Sequence, residues 1–136
     1  MIGRETELVE IARAARERAY APYSHYQVGA ALLTASGRIF NGCNIENAAY
    51  GATICAERVA VFKAVSEGEK DFVALAVAAS GEDIAAPCGT CRQVLYEFAP
   101  NLTLYLTGSR GQRVETVTLQ ELLPRAFGPA HLMGDC

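Results

Sequence analysis

Apolar residues recur along this chain at two periods. Between residues 4 and 20, Leu8, Ile11, Ala12, Ala15 and Ala19 stand three and four positions apart with charged residues between them. This spacing paints one apolar stripe on a helix, which "APYS" at 21–24 ends. The period then shortens. "YQVGAALL" (26–33) and "RIFNGCNI" (38–45) are strand-like runs on either side of "TASG", a pattern that predicts a hairpin. From Cys55, "CAERVAVFKAVSEG" sets Val59, Phe62 and Val65 about one turn apart and closes at Gly68, which predicts a second helix. "FVALAVAAS" (72–80) is apolar throughout at strand length, as expected of a buried central strand.

The second half repeats the alternation. "CRQVLYEFA" (91–99) predicts a helix opening at a Cys-x-x-Cys, "LTLYLT" (102–107) a strand and "QRVETVT" (112–118) an edge strand. Thr118 and Glu121 have the spacing of a capping box for a last short helix that ends at Pro124. Strands alternating with helices predict an α/β layered fold around a sheet of about five strands. Repeats, low-complexity tracts and linkers are absent, and 136 residues suit a single domain spanning 1–136.

Composition narrows the function classes. About half of the residues are hydrophobic and a fifth are charged, with a net charge of −3. There is no basic stripe for polymeric nucleic acid and no polybasic membrane patch. The start carries charge at helical spacing in place of a signal-peptide core, and no apolar run approaches a bilayer span. A cytoplasmic location without membrane contact is expected. Five cysteines in a reducing compartment point to metal ligation or thiol chemistry ahead of disulfides.

Cys88 and Cys91, three apart at a helix start, lie on one face and can share one ion. Neither His25 nor His131 has zinc-finger spacing, and neither is assigned a role. Cys55 is the best third ligand, because it also starts a helix, where free N–H groups stabilise a thiolate. Cys43 is read as a buried small hydrophobe and Cys136 as a free terminal thiol. Three ligands leave one tetrahedral position for a water whose pKa the metal lowers. Glu57 is the nearest proton carrier, provided that Cys55 sits at the helix end. Three thiolates and Zn²⁺ sum to −1, so a cation should offset the charge. Arg58 is favoured over Arg92 as the side chain that hydrogen-bonds the ligand sulfurs.

"CAER" at 55–58 with "PCGTCRQ" at 87–93 resembles the zinc-dependent cytidine deaminases, a signature established for zinc deaminases at large. The likeness extends to "APYSHYQVGAALL", "GCNIENAAYGATICAER" and "LLPRAF", and it is nearest to the short homotetrameric type with three cysteine ligands. The resemblance implies a three-layer α/β/α domain with a central mixed sheet, and one Zn²⁺ per chain on Cys55, Cys88 and Cys91. It implies Glu57 as the proton carrier, Asn44 and Glu46 on the ribose, and the Ala56 backbone N–H on the base O2. It places Tyr26 against the base where relatives commonly carry Phe, and Phe127 in a neighbouring subunit's site. The implied reaction is hydrolytic deamination of free cytidine and 2'-deoxycytidine. Alternatives are deamination of a cytosine-containing antibiotic of the blasticidin type, or a zinc-stabilised binding module.

Overall fold

The computed structural model describes residues 4–81 and 84–133. Cys136 lies outside them. Helix α1 (Glu5–Arg16) is followed by β1 (Gly29–Thr34), β2 (Ile39–Cys43), α2 (Ala56–Ser66) and β3 (Phe72–Ala79). Then come α3 (Gly89–Phe98), β4 (Thr103–Gly108), β5 (Val114–Thr118) and two short helices, α4 (Leu119–Leu122) and α5 (Pro129–Met133). The sheet is mixed, in the order β2-β1-β3-β4-β5. Only β3 and β4 run parallel; every other neighbouring pair is antiparallel. The apolar run at 72–80 is the central strand and 112–118 supplies an edge, as the pattern predicts.

Alternation along the strands sorts the core into two layers. Ala30, Leu32, Leu75, Val77, Leu104 and Leu106 face α2, α3 and Leu119. Ala31, Leu33, Ala74, Ala76 and Ala78 face Leu8, Val9 and Ala12 of α1. Period-two side chains on a sheet covered from both sides make the three layers. Two glycines let the helices come close. A Cβ at Gly29 would lie 2.0 Å from the Ala12 carbonyl oxygen, and one at Gly42 would lie 2.4 Å from that of Ala56.

Three local details differ from the periodicity. Helix α1 ends at Arg16, because Tyr20 is drawn into a bridge with Ile45, so Ala19 falls outside it. On α2 the buried face is Ala56, Glu57, Ala60, Val61 and Ala64, while Phe62 is exposed. Small residues seat α2 close to the sheet, and the larger side chains are pushed to its flanks. Residues 129–133 form a short helix, α5, that the apolar pattern does not predict. The capping box is formed: Glu121 N–H donates to Thr118 Oγ1 and Thr118 N–H to the Glu121 carboxylate. Among the described residues, no helix is long and apolar enough to cross a membrane.

Topology brings one edge of the sheet to life. Strands β2 and β3 are both antiparallel to β1, so they run the same way and their carboxyl ends share an edge. Each leads into a helix whose N-terminus returns to that edge. Because β1 runs oppositely, residues 20–28 enter there as well. Ligand sites in open α/β sheets collect at the carboxyl ends of strands for this reason.

Candidate active site

Cys55 and Cys88 occupy equivalent positions. Each is the extended residue immediately before a helix, with φ/ψ of −80/155 before α2 and −67/168 before α3. Their sulfurs are 3.7 Å apart. Cys91, one turn into α3, is fully buried and completes a cluster whose three sulfurs lie within 4.8 Å of one another. Two thiolates on a tetrahedral ion with bonds of about 2.3 Å would be roughly 3.8 Å apart, so the donor set and spacing fit zinc.

The thiols perturb one another. The Cys55 thiol is lowered to about 5, chiefly by the hydrogen bond that Cys91 donates to it, with Arg58 and Cys88 assisting. Cys91 moves upward because it gives up that hydrogen bond and is buried. Arg58 Nη2 donates to Cys55 Sγ at 3.4 Å, and its Nε is buried without a partner. The guanidinium is raised above its ordinary value, first by the Cys55 hydrogen bond. Arg92 is engaged elsewhere: it donates to the carbonyls of Pro87 (2.7 Å) and Leu122 (2.6 Å) and ties α3 to the end of α4.

Beside the sulfurs is a cavity of about 330 Å³, whose lining brings Cys55, Ala56, Glu57 and Cys88 together with Tyr26, Asn44 and Glu46. Cys55 precedes the helix, so Glu57, two residues on, borders the same cavity; a mid-helix pair would diverge. Glu57 is only 4% exposed, and desolvation pushes its carboxyl up to about 7. Ala56 is the first helical residue, and its N–H is one of those that an α-helix leaves without an internal acceptor. Phe127 is outside this cavity. It is about half exposed, stacked on His131 with ring centroids 5.0 Å apart, and its carbonyl accepts from Gln93.

The lining near Glu46 is built from loops. Residues 44–46 are held between two segments: Tyr20 N–H donates to Asn44 O, Glu46 N–H to Tyr20 O, and Ile45 exchanges two bonds with Ile54. The Asn44 side chain accepts from Val28 N–H (2.9 Å) and donates to Tyr26 O (2.8 Å), leaving one amide N–H for a ligand. Glu46 Oε1 accepts from the backbone N–H groups of Tyr23 (2.9 Å) and Ser24 (3.1 Å), and its Oε2 accepts from the Ser24 hydroxyl. These donors lower its carboxyl below the ordinary value, the Ser24 hydroxyl contributing most. The sequence pattern did not point to Ser24, nor to Val77, Ala79, Ala85 and Ala86, which also line the cavity. Small apolar residues at a strand end carry no chemical signal, and a serine in a "PYS" turn reads as turn chemistry.

Three thiolates on a metal that takes four ligands mark a catalytic zinc site, here beside a ligand-sized cavity holding a buried carboxylate. The fold and the site thus define an α/β/α zinc hydrolase. Residues 3–107 match the family described as the cytidine and deoxycytidylate deaminase zinc-binding region. The cytidine deaminase of Sporosarcina psychrophila is 51% identical over 127 residues, 93% of this chain and 93% of that protein. The crystal structure of cytidine deaminase from Burkholderia pseudomallei matches with a TM-score of 0.85 at 48% identity, covering 90% of this chain and 98% of that one. The blasticidin-S deaminase of Bacillus cereus is 36% identical over 131 residues, 90% of this chain and 91% of that protein. The chain belongs to the cytidine deaminase family. It is a hydrolase with zinc bound by Cys55, Cys88 and Cys91.

Proposed function

We propose that this protein hydrolyses free cytidine and 2'-deoxycytidine to uridine and 2'-deoxyuridine, releasing ammonia, and that it serves pyrimidine salvage in the cytoplasm. The observation that carries the reading is the placement of Glu57, a buried carboxylate bordering the same cavity as Cys55 and Cys88. Zinc supplies the acidification of a water at its fourth position. Glu57 takes the proton of the water that attacks C4, passes it to N3, and later delivers a proton to the departing ammonia. Water adds across the C4–N3 bond, the C4–N4 bond breaks, and the proton count closes on uridine plus ammonia.

The remaining residues hold the substrate. The Ala56 N–H donates to the base O2, Tyr26 packs against the base, and Asn44 and Glu46 hold the ribose through its 3'-hydroxyl. Both ribo- and deoxyribonucleosides are admitted because these contacts do not need the 2'-hydroxyl. Arg58 offsets the excess negative charge of three thiolates. Residues 1–136 act as one domain. Phe127, half exposed and outside its own cavity, fits a role in a neighbouring subunit's site within a homotetramer.

The test is conversion of cytidine followed by ultraviolet absorbance, with zinc determined on the same sample and blasticidin S as a parallel substrate. Turnover of cytidine at about one zinc per chain is expected. Full zinc with turnover of blasticidin S alone would replace the nucleoside by the antibiotic.

A further inference from the structure

Glu46 is assigned above to the ribose, but a carboxylate near the surface recognises a hydroxyl selectively only if its oxygens are fixed. Three hydrogen bonds fix them. Its Oε1 is taken by two backbone N–H groups, those of Tyr23 and Ser24, and its Oε2 by one side chain, Ser24. The direction of that bond is unambiguous. Tyr26 N–H donates to Ser24 Oγ at 3.0 Å, so the hydroxyl oxygen is already an acceptor there and its single proton goes to the carboxylate, which can only accept. Between the two, His25 takes a left-handed backbone conformation (φ +60), and its N–H donates to Ala21 O at 3.0 Å. A non-glycine residue at positive φ is uncommon, and here it curls the chain so that Ser24 and Tyr26 meet. Ser24 also lines the cavity.

We infer that Ser24 is a positioning residue for nucleoside selection: relaying Tyr26 N–H to Glu46 Oε2, its hydroxyl locks the carboxylate in the orientation that reads the sugar 3'-hydroxyl. The inference rests on the ribose role proposed for Glu46. Ser24 acts on binding and not on the proton transfers, since its single hydroxyl proton is committed to Glu46.

Steady-state kinetics of the zinc-loaded wild type and of Ser24→Ala, Ser24→Thr and Glu46→Gln, on cytidine and on 3'-deoxycytidine, test it. Ser24→Ala should raise KM for cytidine about tenfold, the scale of a lost hydrogen bond to a charged group, with kcat changed less than threefold. On 3'-deoxycytidine the same variant should stay within twofold of wild type, and Ser24→Thr, which keeps the hydroxyl, should recover most of the cytidine effect. A fold made loose by the substitution would penalise both substrates alike and would overturn the inference. So would an unchanged KM for cytidine in Ser24→Ala while Glu46→Gln discriminates between the substrates. If Glu46→Gln itself penalises both substrates equally, the ribose assignment fails and this inference fails with it.

Discussion

Two glutamates line one cavity, and they are held in opposite ways. Glu57 lies at the start of α2, buried and desolvated, with its carboxyl raised. Glu46 lies in a loop, where three donors hold its carboxyl below the ordinary value. Environments that push two carboxyls apart assign them different tasks. One is suited to carry protons beside the metal, and the other to stay ionised and accept hydrogen bonds from a ligand. The contrast extends to their surroundings: the lining near the sulfurs is made of helix ends packed on the sheet, and the lining near Glu46 of loops tied by hydrogen bonds. Damage to the first should remove metal or rate, and damage to the second should weaken binding and leave both.

The largest separation of the two linings comes from Cys91→Ala. Removal of a fully buried ligand should abolish stoichiometric zinc, measured by atomic absorption, and reduce turnover to background. Retention of one zinc per chain would show that Cys55 and Cys88 hold the metal without it. Next is Arg58→Gln. The guanidinium reaches Cys55 Sγ at 3.4 Å, and groups that hydrogen-bond metal ligands are typically worth 10–100-fold in metal affinity. A chelator competition should show a loss of about that size, with KM for cytidine unchanged in the zinc-replete variant. Smaller again is Asn44→Ala among the loops. It removes the ties to Val28 N–H and Tyr26 O, and KM should rise about tenfold with zinc content intact. Loss of zinc from Asn44→Ala would break the division between the two linings.

The two linings were not equally legible in sequence. The metal side could be read because its chemistry is local. A cysteine at the start of each of two helices, with a third one turn on, announces itself by residue type and spacing. The alternation of apolar runs likewise sufficed to give the layered fold, the central strand at 72–79 and the capping box at Thr118 and Glu121. The buried face of α2 was not legible because its seat on Gly42 selects small residues, and an alanine stripe has little hydrophobic contrast against Val59 and Phe62. Among the loops, Asn44, Glu46 and Tyr26 rested on family resemblance alone. The partners of Asn44 and Glu46 lie 16 to 23 residues away, and a bond such as Ser24 to Glu46 depends on a backbone turn at His25 that no periodicity encodes. The convergence of the two cysteine helices was also hidden, since it follows from β1 lying between β2 and β3 in the sheet.

In the proposed reaction, the buried carboxylate of Glu57 beside the three-cysteine zinc centre carries the protons of the deamination. Turnover of cytidine by Glu57→Gln, with zinc measured on the same preparation, tests it most directly. About one zinc per chain is expected, with a rate lowered roughly 10²–10⁴-fold, the usual scale of a lost general acid–base group. Near-normal turnover by that variant at full zinc would contradict it.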